Sequence, residues 1–168
     1  RESENRALFS VVSRPEVVSL AGGMPNLKDL PLDRLAQSAE KLIRNHGAQA
    51  MQYGSGQGWE VLRERITEVM SYDGIVGADP DDVVVTTGSQ QALDLVTELF
   101  VNPGDVILAE APSYVGALGV FRARQADIVH VPMDENGIIP EALEETIRDV
   151  RASGRTIKFI YIIPNYHN

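Results

Sequence analysis

Apolar residues recur every three or four positions over residues 31–45, where Leu32, Leu35, Ala39, Leu42 and Ile43 share one face. That spacing predicts an amphipathic helix, with Pro31 suited to its first position. After the glycine-rich stretch Tyr53-Gly54-Ser55-Gly56-Gln57-Gly58, a second stripe of Trp59, Leu62, Ile66, Val69 and Met70 predicts another helix near 58–72. The pattern then changes. Asp79-Pro80-Asp81-Asp82 reads as a turn, and Val83-Val84-Val85-Thr86 is an unbroken β-branched run of the kind found in strands buried on both faces. Further short apolar runs follow at Val106–Ala109, Ile128–Val131 and Phe159–Ile163, separated by helix-like segments at 90–100, 113–124 and 140–150. In the last of these segments Leu143, Ile147 and Val150 share a face, while Glu144 and Arg148 stand four apart on the surface. Four strands alternating with helices predict an α/β fold, a mostly parallel sheet flanked by helices, because parallel neighbours need crossover helices. Residues 1–30 read as an arm laid against the body formed by 31–168.

Composition narrows the function. The 168 residues suffice for one domain with a real core, and 43% hydrophobic with 23% charged residues excludes wholesale disorder. A net charge of −9 with no basic block argues against nucleic acid as a partner. The absence of cysteine excludes a disulfide scaffold, a thiolate zinc site and a cysteine nucleophile, and suits a reducing, cytoplasmic compartment. No apolar run approaches the ~20 residues of a membrane helix, and the opening Arg1-Glu2-Ser3-Glu4-Asn5-Arg6 lacks a signal-peptide core. His46, His130 and His167 stand too far apart for helical ligand spacing, so no metal site is expected.

The sharpest chemical signal is Thr86-Thr87-Gly88-Ser89-Gln90-Gln91, at the junction of an expected strand and its helix. Unpaired N–H groups point outward at such a junction, the helix dipole adds partial positive charge, and Gly88 admits a ligand closely. The motif reads as an anion cup suited to phosphate; alternatively Gly88 only makes the turn and Ser89 caps the helix. The 54–58 loop lacks the register of a dinucleotide fingerprint, and no Walker or nucleophile-elbow motif occurs. Asp94 and Glu98 read as one solvated acidic face. Polar groups also follow two expected strands, in Glu110-Ala111-Pro112-Ser113-Tyr114 and Pro164-Asn165-Tyr166-His167-Asn168. Strand ends are where α/β proteins gather ligands. Taken alone, Ser113 reads as a helix cap and Tyr114 as a half-buried aromatic.

In order and spacing, Thr87-Gly88-Ser89-Gln90-Gln91-Ala92-Leu93-Asp94-Leu95, Asn102-Pro103-Gly104-Asp105, Glu110-Ala111-Pro112-Ser113-Tyr114 and Pro164-Asn165-Tyr166-His167-Asn168 resemble the class I/II pyridoxal-phosphate (PLP) aminotransferases of fold type I. With Leu20-Ala21-Gly22-Gly23-Met24-Pro25 and Gln52-Tyr53, the chain is most similar to the 2-aminoadipate and kynurenine aminotransferase branch. The resemblance implies an amino-group transfer between an amino acid and a 2-oxo acid, with pyridoxal 5'-phosphate as cofactor. Gly88, Ser89 and Gln90 would hold its phosphate, Tyr114 would stack on its ring, and Asn168 would bond its phenolic oxygen. Tyr53 would reach the phosphate of the other subunit of a homodimer, Gly23 would lie beside the substrate, and Arg6 would meet a substrate carboxylate. The family's Schiff-base lysine, ring-nitrogen aspartate and carboxylate-gripping arginine have no counterpart here. Lys28, Lys41 and Lys158 are the only lysines, and none stands at the family position. The chain is therefore expected to be the N-terminal part of a longer enzyme, with an incomplete PLP-binding large domain over 31–168 and no catalytic residue of its own. Alternatives within the same fold are a PLP-binding sensor domain of a bacterial transcriptional regulator, or a lyase.

Overall fold

The structure is a computed structural model that describes Arg14, residues 16–18, Pro25 and residues 27–167. Most of the expected arm over 1–30, including Arg6 and Gly23, therefore lies outside the described residues, as does Asn168. The chain divides after Gln52 into two compact units. In the first, helix α1 spans Leu32–Ala50, with Pro31 as its N-cap rather than its first helical residue. It runs five residues past the expected stop at 45, with His46 at non-helical φ −135° marking a kink. Glu40 and Arg44 form the i,i+4 pair of its polar face, at 2.8 Å.

The second unit is an α/β sheet domain. Helix α2 (Glu60–Tyr72) is followed by a short 3-10 turn over Pro80–Asp82, in which the Asp79 side chain accepts the Asp81 N–H. Helix α3 (Ser89–Phe100), strand β1 (Val106–Ala111), helix α4 (Val115–Ala123), strand β2 (Asp127–Asp134), strand β3 (Gly137–Ile138), helix α5 (Pro140–Ala152) and strand β4 (Ile157–Tyr161) complete it. The strand order is β3-β2-β1-β4, with β1 parallel to both β2 and β4 and the short β3 antiparallel to β2. Glu144 and Arg148 pair across the surface of α5 at 3.6 Å, as their spacing predicts.

Strand β1 is central because its side chains are apolar on both faces. Ile107 and Ala109 point into one cluster with Val101, Ala117, Leu118 and Phe121, backed by Phe159 and Tyr161 of β4. Val106 and Leu108 point the other way, onto Val131 and Val150. This period-two division places α4 on one face and α5 on the other, a helix–sheet–helix stack. Phe121 meets Phe159 and Tyr161 edge-on, at centroid distances of 5.8 and 5.5 Å.

Two expectations are corrected. Val83–Thr86 forms no strand: the segment is extended, and Val85 N–H donates to Gln57 O at 2.8 Å, but no sheet ladder includes it. A β-branched run becomes a strand only beside a partner edge, and the described residues offer it none. Strand β4 begins and ends two residues earlier than the run Phe159–Ile163 suggests. Its ladder with β1 stops at the pair Ala109–Tyr161, so the apolar Ile162 and Ile163 continue beyond the sheet.

Candidate functional site

The anion cup is built from the turn Thr86-Thr87-Gly88 and the first turn of α3. Gly88 is the N-cap, with φ +80°, a left-handed conformation that costs glycine little and other residues much. Three bonds set this turn: Gly88 N–H donates to Thr86 O at 2.9 Å, the Thr86 hydroxyl donates to Gly88 O at 3.1 Å, and Thr87 N–H donates to the Gln91 side-chain oxygen at 2.6 Å. No side chain caps the helix. The expected alternative, in which Ser89 serves as the cap, fails because Ser89 is already the first helical residue. By helix geometry the N–H groups of Ser89, Gln90 and Gln91 then lack intrahelical acceptors and face the space in front of Gly88, where a Cβ would meet nothing within 4 Å. The cup is exposed, preformed and locally positive.

The approach to the cup is fixed from α2. The buried Arg63 guanidinium donates to Pro80 O at 2.6 Å and pairs with Asp81 at 3.0 Å. Gln57 Nε2 donates to Asp81 O at 3.0 Å. Gly58, at φ +102°, packs so closely on Val85 that a Cβ there would fall 2.7 Å from its side chain. The glycine-rich loop thus holds the extended Val83–Thr86 segment in place instead of binding a nucleotide.

Tyr114 stands beside the cup. It is the N-cap of α4, so Ser113, expected in that role, precedes the helix, and its buried hydroxyl has no hydrogen-bond partner. The Tyr114 ring lies over the backbone of Gly116, where a Cβ would come within 2.4 Å of it, so only glycine leaves the ring this place. Gln90 Nε2 reaches Gly116 O at 3.5 Å, which links the cup to the start of α4. The carboxyl ends of β1 and β4 complete the cluster with Glu110, Tyr161 and His167. Burial holds the Tyr161 phenol above its ordinary range, and the nearby Tyr114 and Glu110 add to the effect.

Sequence reasoning places Glu110 among the polar groups after an expected strand but gives it no role of its own, and it does not single out Tyr161. Glu110 directly follows the apolar run Val106–Ala109, whereas Tyr161 lies inside the run Phe159–Ile163, and only the end of the β1–β4 ladder places it at a strand's carboxyl end. Asp94 and Glu98 are not merely a solvated face, since both pair with Arg124, at 3.2 and 3.0 Å. Lys158 pairs with Asp105 at 3.3 Å, at the opposite end of the β1–β4 pair from Tyr161 and Glu110, and so stands away from the cup. Tyr53, by contrast, is 98% exposed. Among the described residues no helix is long and apolar enough to cross a membrane.

The chain matches the family described as aminotransferase class I and II over residues 15–168. It belongs to that family. The aromatic-amino-acid aminotransferase 1 of Thermococcus litoralis is 36% identical over the whole chain, which corresponds to 40% of the relative's length. The 2-aminoadipate transaminase of Thermus thermophilus is 37% identical over 97% of the chain and 38% of its own length. The crystal structure of Pyrococcus horikoshii kynurenine aminotransferase, in complex with PMP and with kynurenine as substrate, superposes with a TM-score of 0.89 at 34% identity, covering all of this chain and 41% of that one. This aminotransferase chain thus spans about 40% of the length of the relatives it matches, and its fold is the corresponding part of fold type I.

A phosphorylated pyridine cofactor fits what is present. The cup offers uncapped N–H groups and a hydroxyl to a dianion. Tyr114 supplies an aromatic face next to them.

Proposed function

We propose that the complete protein is a PLP-dependent aminotransferase that moves an amino group between an amino acid and a 2-oxo acid. The observation that carries this reading is the juxtaposition of an uncapped helix N-terminus at Gly88–Gln90 with the Tyr114 ring, at the carboxyl end of the central strand of an aminotransferase-family domain. Bound there, PLP supplies a carbonyl that takes up the amino group and an electron-withdrawing ring. The residues of this chain bind and orient. Ser89 and Gln90 with the backbone of Gly88 hold the phosphate, so that dipole and hydrogen bonds act on the same dianion. Tyr114 limits the ring to one plane, and Asn168 donates to its phenolic oxygen. In a homodimer Tyr53 reaches the phosphate of the neighbouring subunit, while Gly23 leaves room for the substrate and Arg6 pairs with its carboxylate.

The amine that anchors PLP and moves the proton must come from outside this chain. Lys158 is engaged by Asp105 away from the cup, and neither Lys28 nor Lys41 stands at the position of the family's lysine. Residues 31–168 then form an incomplete large domain, finished by the remaining polypeptide. The test is a PLP titration of the complete protein, followed by its visible absorbance, with an amino-donor and 2-oxo-acid exchange assay alongside. Saturable binding with exchange of the amino group is the expected result. A protein that binds no PLP overturns the reading.

A further inference from the structure

Glu110 has no use in the roles given so far, yet it is a carboxylate only 5% exposed near the end of the central strand. One of its oxygens, Oε2, accepts the backbone N–H of Ile163 at 2.8 Å. The same oxygen lies 3.5 Å from Nδ1 of His167. Among the described residues the His167 ring is the basic group within 4 Å of this carboxyl, and the phenols of Tyr161 and Tyr114 are the other titratable groups in this cluster.

A carboxylate withdrawn from water is tolerated only where hydrogen bonds and opposite charge replace the lost hydration. The Ile163 N–H supplies one such bond, the His167 ring stands close to the same oxygen, and together these contacts dictate the path of the chain. The β1–β4 ladder ends at Tyr161, so the N–H of Ile163 has no strand acceptor, and Glu110 provides one. A single oxygen therefore holds both ends of the five-residue turn 163–167. Inside that turn Tyr166 sits at φ +52°, a left-handed conformation that a bulky residue keeps only when its surroundings impose it.

We propose that Glu110 is a positioning residue of the cofactor pocket: by holding Ile163 and His167 with one oxygen, it fixes the turn 163–167 that leads into Asn168. The inference rests on the aminotransferase reading, and on Asn168 as the partner of the phenolic oxygen. It predicts that the effect of Glu110 on the cofactor passes through Asn168.

The test uses the complete protein carrying Glu110→Ala or Glu110→Gln, each alone and combined with Asn168→Ala. PLP retention is read by absorbance, and backbone amide exchange over 162–167 is read on cofactor-free protein. Glu110→Ala should raise the PLP dissociation constant about tenfold when Asn168 is present and less than about twofold in the Asn168→Ala background. It should also speed exchange of the Ile163 amide about tenfold, leaving the β1 amides unchanged. Glu110→Gln keeps an acceptor for Ile163 but loses the charge facing His167, so intermediate values are expected. This variant decides the matter if Glu110→Ala does not fold. An equal effect in both backgrounds, or unaltered exchange at Ile163, overturns the proposal. Failure of the unsubstituted protein to bind PLP overturns the aminotransferase reading itself, and this role with it.

Discussion

At the scale of single residues, the cup works because one position is glycine and the next is already helical. Gly88 takes the left-handed turn, which leaves Ser89 and Gln90 at the open end of α3 with donors unspent. A serine one position earlier would cap the helix and consume a donor that the ligand needs. Hydrogen bonds to charged groups contribute about 1.5–3 kcal/mol, so Ser89→Ala in the complete protein should weaken PLP binding about ten- to hundredfold. Absorbance titration measures this directly, and an unchanged dissociation constant would remove Ser89 from the phosphate site. Gly116 matters in the same local way, since it alone lets the Tyr114 ring lie beside Gln90.

The elements are held in register by groups at their ends. The Asp105 carboxylate, just before β1, accepts the Asn102 N–H at 2.7 Å and pairs with Lys158 at the start of β4. The Asn102 backbone bond and, less strongly, Lys158 hold this carboxyl below the ordinary carboxylate range against the opposing effect of burial. A carboxyl lowered in the folded state stabilises it above the unfolded value, about 3.9, and that contribution fades as pH falls through the lowered folded value. Asp105→Asn should therefore lower the thermal midpoint of the complete protein more at pH 7 than at pH 3. A gap between the two proteins that does not shrink on acidification would show that Asp105 acts by packing alone. At the other end of the same strands, Glu110 and Ile163 form the matching tie.

At the scale of the whole molecule, the sheet unit leaves apolar surface uncovered. Strand β4 is an edge, and a groove of about 610 Å³ lined by Val96, Phe100, Phe159 and Ile160 runs alongside it from Ser89. Unpaired edges and exposed apolar surface favour association. The 168-residue chain by itself should therefore be poorly soluble and devoid of transaminase turnover, and a soluble, active preparation would refute both statements. The exposed Tyr53 makes a separate prediction at this scale. In mixed dimers of a Tyr53→Phe subunit with a subunit lacking the cofactor lysine, both defects should fall on one site, leaving the other intact. Defects that stay with their own subunits would exclude a role for Tyr53 across the interface.

Elements whose residues settle their state locally can be read along the chain. The stripes of α1 and α2, the apolar runs of β1 and β2 and the Gly88 turn are all legible, because periodicity and glycine conformation act within a few residues. The family was legible too, through ordered motifs rather than through any one of them. Tertiary structure alone decided whether Val83–Thr86 became a strand, since a strand needs a neighbour's edge. It decided that Ile162 and Ile163 leave the sheet, because the β1–β4 ladder stops at Ala109–Tyr161 although β1 itself runs on to Ala111. It also decided that Glu110, 53 positions from Ile163, would be buried and bonded to it. Contacts between residues so far apart in the chain come from the packing of whole elements, which no local pattern encodes.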